Sequence, residues 1–114
     1  MNPYELITEW CKQYNVSIDL ISYTEQDIGL TTAGKCLFYH NPQGKAEIII
    51  NSRLGDNIGK EESLWHEFCH AWEWQKYGTH GHGERFKELY KNRSYPWYAS
   101  IIQCIDMLIG EFIK

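Results

Sequence analysis

The sequence predicts an α+β fold in a single domain, residues 1–114, with an N-terminal helix, a small antiparallel sheet, a long helix and further C-terminal helices. Three observations support this prediction. Apolar residues recur at helical spacing in several segments, and strand-like runs flank a turn sequence. The chain has 114 residues, 43% of them hydrophobic, which suits one core, and no linker or internal repeat divides it.

The first two predicted elements are a helix and a strand. Asn2 is suited to cap a helix, because Pro3 follows in the first turn and Glu5 stands three residues further on. Apolar residues then recur at helical spacing, so a helix is expected over about 3–14. Residues 16–20 alternate apolar and polar side chains, which predicts a strand with one buried face.

A β-hairpin is predicted after a polar connection at residues 24–33. Residues 34–40 and 45–51 have the composition of strands, and they flank the tetrapeptide NPQG. Asparagine, proline and glycine each favour a turn, so the two runs should pair as antiparallel strands.

The C-terminal half predicts three further helices. The second helix of the chain should cover about 59–77, since Glu61 suits its first turn and Gly78 suits the position after its end. A third is expected over 84–92. The fourth has an apolar stripe, which is expected to cover either the domain's own core or a partner. The residues of the stripe are Trp97, Ile101, Ile105, Leu108 and Phe112.

Composition excludes several classes of protein. A formal charge of −4 argues against nucleic-acid binding through net charge, although it allows a local basic patch. The four cysteines lie far apart, with no Cys-x-x-Cys pair, which favours reduced thiols and a cytoplasmic location. The N-terminal sequence MNPYELITEW has no basic region followed by an apolar run, so no signal peptide is expected, and no membrane association is expected either.

The sequence HEFCH, residues 66–70, is the clearest functional signal. His66 and His70 lie four residues apart on a predicted helix, so both project from one face and can hold a single ion. Glu67 stands between them in a His-Glu-x-x-His pattern. In zinc peptidases this pattern supplies two neutral imidazole ligands and a carboxylate beside the water that reacts.

A catalytic zinc ion needs a third protein ligand, which the helix itself does not provide. The glycine-rich sequence THGHG, residues 79–83, can fold a side chain back toward the helix. His82 and His80 are therefore candidates, with Glu73 and Glu84 as carboxylate alternatives. Glu73 shares the histidine face of the helix, and its position suits a residue that orients a ligand.

Two motifs in this order resemble those of the SprT-like zinc metallopeptidases. Residues 66–72 read HEFCHAW and residues 82–86 read HGERF, whereas the family has His-Glu-x-x-His followed, after a short insert, by His-Gly-x-x-Phe. Upstream, an Ala-Gly pair leading into a strand, and then the strand at 47–51, is similar to the hairpin before the family's active-site helix. The resemblance covers about residues 33–93.

The resemblance implies a zincin-like minimal metallopeptidase domain with one zinc ion per chain. His66, His70 and His82 would be the metal ligands, and Glu67 would be the general base. His80 would be a neighbour of the site and a hydrogen-bond donor on the substrate side. A peptide substrate is expected to lie along residues 45–51, adding main-chain hydrogen bonds to an exposed strand edge.

The resemblance also implies an activity, that of a zinc-dependent endopeptidase acting on protein or peptide substrates, with DNA-associated proteins as the family's substrate class. Two alternatives stand beside it. One is a regulatory peptidase that cleaves a specific repressor or partner. The other is a non-catalytic binding module that zinc stabilises. Many relatives continue into a four-cysteine zinc ribbon, whereas residues 97–113 here have the pattern of an apolar-faced helix.

A short basic strip follows the second histidine motif. Next to aromatic residues at 95–98, such a strip could hold single-stranded DNA weakly, although a run of this kind is more often a solvated helix face. The strip consists of Arg85, Lys87, Lys91 and Arg93.

Overall fold

The computed structural model describes residues 2–113, with side chains described as far as residue 110. The described chain has an α+β fold with four α-helices and a mixed sheet of three strands. In chain order the elements are α1 (Pro3–Tyr14), β1 (Ile21–Gln26), β2 (Gly34–Tyr39), β3 (Lys45–Asn51), α2 (Ile58–Tyr77), α3 (Glu84–Tyr90) and α4 (Ala99–Ile113). None of the described helices is long and apolar enough to cross a membrane.

Helix α1 begins and ends where the sequence predicts. The backbone N–H of Glu5 donates to Asn2 Oδ1 at 2.8 Å, so Asn2 caps the helix, and Asn2 Nδ2 donates to Glu5 Oε1 at 2.6 Å, which holds the capping side chain in place. The helix ends at Asn15, whose φ of 59° lies in the left-handed region that terminates helices. Its buried face includes Ile7 and Trp10.

The predicted strand at residues 16–20 is wrong. Ile18–Leu20 form a short 3₁₀ turn, and β1 starts only at Ile21. The Ser17 hydroxyl accepts from the N–H of Asp19, which favours a turn over an extended chain. The side chain of Gln75 on α2 also bonds both the N–H and the carbonyl of Ser17. The alternation of residues 16–20 therefore reflects a partly buried turn.

The sheet is mixed, which corrects the prediction of an antiparallel sheet. Strands β2 and β3 form the predicted antiparallel hairpin, but β1 pairs with β3 in parallel, giving the order β1-β3-β2. Strand β3 is therefore central and bonded on both sides. Residues 45–51 therefore have no free edge, and the expected peptide path along them is wrong. The free edge of the hairpin belongs to β2.

Helix α2 forms the centre of the core. Its side chains Leu64, Trp65 and Phe68 are at most 1% exposed and belong to the same buried cluster as Ile48 and Ile50 of β3. The ring of Trp10 from α1 meets Trp65 edge to face, with centroids 5.0 Å apart. Because the sheet and helices α1, α3 and α4 all contact α2, its position is constrained along most of its length.

The last two helices differ from the prediction in their limits, and of the two roles expected for the apolar stripe, the described residues exclude packing against the domain's own core. Helix α3 ends at Tyr90 instead of Asn92, and α4 starts at Ala99. The predicted apolar stripe of α4 faces solvent, because the side that packs inward carries Ala99, Gln103 and Met107. The side chain of Phe112, the last residue of the stripe, lies outside the described residues.

Replacing Trp65 tests the importance of the aromatic core. Trp65→Ala should lower the free energy of unfolding by about 3–5 kcal/mol, because it removes a fully buried aromatic side chain. Urea unfolding followed by circular dichroism measures this change. The control is Tyr4→Ala, which removes an aromatic side chain that is 56% exposed on α1 and should cost less than about 1 kcal/mol. Equal losses in the two variants would contradict the assignment of the core.

Candidate metal centre

Helix α2 presents two histidines on one face. Its N-cap is Asn57, whose side chain accepts from the N–H groups of Gly59 and Lys60. This cap fixes where the helix starts, nine residues before His66. His66 and His70 are one turn apart, and their ring centroids are separated by 5.0 Å. The two rings therefore point into the same space beside the helix.

A reversal of the chain brings a third histidine to this pair. Gly78 ends α2 with a φ of 68°, and Gly81 has a φ of 141°, both in the region that favours glycine. His82 Nε2 lies 3.1 Å from His66 Nε2 and 3.2 Å from His70 Nε2. The return segment, residues 79–83, thus places three imidazole nitrogens around one point.

The three nitrogens fit a metal ion. Zinc binds imidazole nitrogen at about 2.0–2.1 Å, and a tetrahedral arrangement then separates the ligand atoms by about 3.3 Å, close to the observed spacings. All three ligand atoms lie within 4.8 Å of one another, and they form the one such group of three within the described residues. His66, His70 and His82 could therefore hold a metal ion.

Burial favours the neutral rings of His66 and His70. The ring of Phe86, from the second motif, lies 4.5 Å from that of His70 and 5.0 Å from that of His66. Burial lowers the pKa of His66, and burial together with the neighbouring imidazoles lowers the pKa of His70 to about 4. Because a metal binds the neutral ring, protons compete weakly for these ligands at neutral pH.

Glu67 lies beside the histidine cluster in a cavity of about 320 Å³. In the metal-free chain, burial and the charge of Glu62 raise the pKa of Glu67 to about 8. A cation at the cluster would favour the ionised carboxylate. The cavity is lined by Thr31, Thr32, Ala33, Gly34, Glu62, Ser63, His66, Glu67 and Gln103.

The start of β2 approaches α2 closely at Gly34. A Cβ atom on this residue would lie 2.7 Å from Ser63 Oγ, 2.9 Å from Ile50 Cδ1 and 3.2 Å from Glu67 Cγ. The side chain of Glu67 therefore keeps its place because residue 34 has no side chain. The edge strand β2 passes directly beside the carboxylate.

Glu73 lies outside the cluster and binds the return segment. Its Oε2 accepts from the hydroxyl of Thr79 at 2.6 Å. Its Oε1 and His70 Nδ1 are both buried and have no hydrogen-bond partner among the described residues. Because Thr79 begins the segment that carries His82, this hydrogen bond ties that segment to α2.

The structure separates the two remaining ligand candidates from the cluster. His80 stacks on Phe38 of β2, with ring centroids 4.6 Å apart and planes inclined by 11°, and it also contacts Trp74. Glu84 is exposed in the first turn of α3. Neither belongs to the group of atoms that could share an ion.

The four basic residues do not form a uniform strip. The guanidinium carbon of Arg93 lies 5.1 Å from the ring centroid of Trp10, and Arg93 donates to Gln13. Arg85 lies 4.2 Å above the ring of Tyr77. Lys87 and Lys91 are exposed.

A polar network that the sequence did not reveal lies at the wall of the cavity. Glu62 Oε1 accepts from the hydroxyl of Tyr90, and its Oε2 accepts from Gln103 Nε2. Glu62 precedes His66 by four residues, so helical spacing could have identified it. Tyr90 and Gln103 come from α3 and α4, and no local pattern marks them.

Two imidazoles on a His-Glu-x-x-His helix and a third from the return segment form a cluster that could hold a metal ion, and hydrolytic enzymes use sites of this type. A model of the SprT-like family matches residues 4–97, so the chain belongs to the SprT-like family. No curated protein and no solved structure matches the chain.

Removing the hydroxyl of Thr79 should weaken metal binding. Thr79→Val breaks the bond to Glu73, so His82 is held less firmly, and zinc affinity should fall about tenfold to a hundredfold. Competition with a chromophoric chelator measures the affinity. Thr79→Ser keeps the hydroxyl and should bind zinc as the wild type does. Wild-type affinity in the valine variant would contradict a positioning role for this hydrogen bond.

Proposed function

We propose that the chain is a zinc-dependent endopeptidase of the SprT-like type, with a zincin-like domain formed by residues 1–114. The observation that carries the proposal is the convergence of His66, His70 and His82 beside Glu67. Three histidines with one open position are a typical ligand set for catalytic zinc, and one ion per chain would fill the site. The single cluster of buried residues supports one domain.

Glu67 is the acid–base group in this proposal. Zinc, when bound, supplies a Lewis acid that lowers the pKa of water and polarises a carbonyl group. The Glu67 carboxylate accepts a proton as water attacks the peptide carbonyl carbon, and it then donates that proton to the departing amine nitrogen. The buried position of Glu67 limits competition from bulk water.

The edge strand β2 supports a peptide as the substrate. The strand passes Glu67 at Gly34 and reaches the ring of His70 at Phe38, with ring centroids 6.4 Å apart. Its outer edge has no partner strand among the described residues. An extended peptide could bond this edge and present successive carbonyl groups to the site.

DNA-associated proteins remain the substrate class that the family suggests, with a cytoplasmic location. The basic residues support only a weak contact with single-stranded DNA. Arg93 is half-buried against the rings of Trp10 and Trp65, whereas Arg85, Lys87 and Lys91 are exposed. About three phosphate contacts give a shallow salt dependence and low affinity. Recognition of the protein substrate therefore has to come mainly from the β2 edge and the cavity.

Glu67→Gln tests the proposed activity. The variant should keep its zinc and cleave an unfolded protein substrate about two to four orders of magnitude more slowly, because it loses the proton acceptor. Metal analysis and a fluorescent casein assay measure the two properties. Glu9→Gln, the same change at an exposed position of α1, is the matched control and should retain full activity.

Two results would contradict the proposal. If zinc-loaded wild type hydrolyses no protein or peptide, the metal site is structural and the chain is a binding module. Activity in Glu67→Gln close to that of the wild type would remove the carboxylate from the reaction.

A further inference from the structure

Helix α4 exposes its apolar side and buries a more polar one. The exposed fractions are 48% for Ile101, 48% for Ile105, 54% for Leu108 and 46% for Ile109. Trp97, just before the helix, is 80% exposed. A surface helix normally has the opposite arrangement, with the apolar side against the core. We call this exposed apolar surface, formed by Trp97, Ile101, Ile105, Leu108 and Ile109, the α4 stripe.

Polar contacts on the inner side hold α4 in this orientation. Gln103 Nε2 donates to the carbonyl of Gly59 and to Glu62 Oε2, both at 2.7 Å. The Asp106 Oδ2 atom accepts from the N–H of Gly55 at 3.0 Å and from Asn57 Nδ2 at 2.7 Å. Rolling the helix to bury the α4 stripe would break these hydrogen bonds, so the stripe stays exposed unless another molecule covers it.

The α4 stripe is large enough for a stable interface. Together with Tyr98, the exposed parts of these side chains amount to about 600 Å² per chain, so two copies would bury about 1,200 Å², the lower limit of a standard interface. This area lies at the upper end of the range for the largest apolar patch of a typical monomer, and patches of that size often have a function.

The chemistry of the stripe fits a second copy of the same chain. The exposed residues at positions 97–109 carry no charge, because Asp106 is engaged on the inner side. In a two-fold interface the same patch meets itself, so a uniformly apolar and uncharged surface is self-complementary. Ile101, Ile105 and Leu108 also follow the four-then-three spacing of a helix–helix seam.

We propose that the α4 stripe is the interface of a homodimer, in which α4 of one chain packs against α4 of its partner. The interface lies on the side of α4 opposite to Gln103, so it leaves the cavity beside Glu67 open. By covering the stripe, it also stabilises the helix that supplies Gln103 to the cavity wall. Cys104 is exposed near the middle of the stripe, so the two-fold brings the two Cys104 side chains close together.

Sedimentation velocity tests the dimer. Wild type should sediment as a species of twice the 13.5 kDa chain mass at about 100 µM and should dissociate on dilution. Leu108→Lys should raise the dimer dissociation constant at least tenfold, because it buries a charge in an apolar interface. The control, Leu30→Lys, makes the same change at a residue that is 44% exposed in the connection before β2, and it should dimerise like the wild type.

Crosslinking provides a second test, which is made on the wild-type chain. A short bis-maleimide should join two wild-type chains through Cys104, since Cys11 and Cys69 are buried and Cys36 is half-buried. Cys104→Ser should give no covalent dimer. A wild type that is monomeric at all concentrations would overturn the proposal. A Leu108→Lys variant that dimerises as strongly as the wild type would overturn it as well.

Discussion

The contact between His82 and the two histidines of α2 is the constraint on which the rest of the site depends. A helix alone supplies His66 and His70, because residues four apart share a face. The third nitrogen arrives only because the chain reverses at Gly78 and Gly81, where positive φ values are needed. His82 Nε2 then lies 3.1 Å from His66 Nε2 and 3.2 Å from His70 Nε2, an arrangement that a cation between the three nitrogens satisfies.

Packing around α2 fixes the position of the helix and buries His70, while His82 stays exposed. Trp65 and Phe68 anchor one side of the helix in the core, while Phe86 covers the histidine rings on the other. Burial lowers the pKa of His70, which favours the neutral ring that binds a metal. Burial also raises the pKa of Glu67, and a cation in the cluster would favour the ionised carboxylate that accepts a proton. The close approach of β2 at Gly34 places that strand beside Glu67.

Local patterns predicted most of the fold and the histidines of the candidate site. Caps, helical spacing and the NPQG turn depend on residues close in sequence, so α1, the hairpin and α2 lie close to their expected limits. The parallel pairing of β1 and the turn at Ile18–Leu20 depend on distant partners, among them Gln75. The orientation of α4 depends on Gln103, whose bonds reach Gly59 and Glu62 across the fold, and no periodicity in the sequence marks such bonds.

Metal analysis by mass spectrometry on purified wild type, His82→Ala and His80→Ala tests the central claim most directly. Three imidazoles around one ion predict about one zinc per wild-type chain. The ion should be lost in His82→Ala and retained in His80→Ala, because the ring of His80 stacks on Phe38 away from the cluster. Wild type that holds no zinc after zinc addition, or a His82→Ala variant that keeps it as firmly as the wild type, would contradict the three-histidine centre.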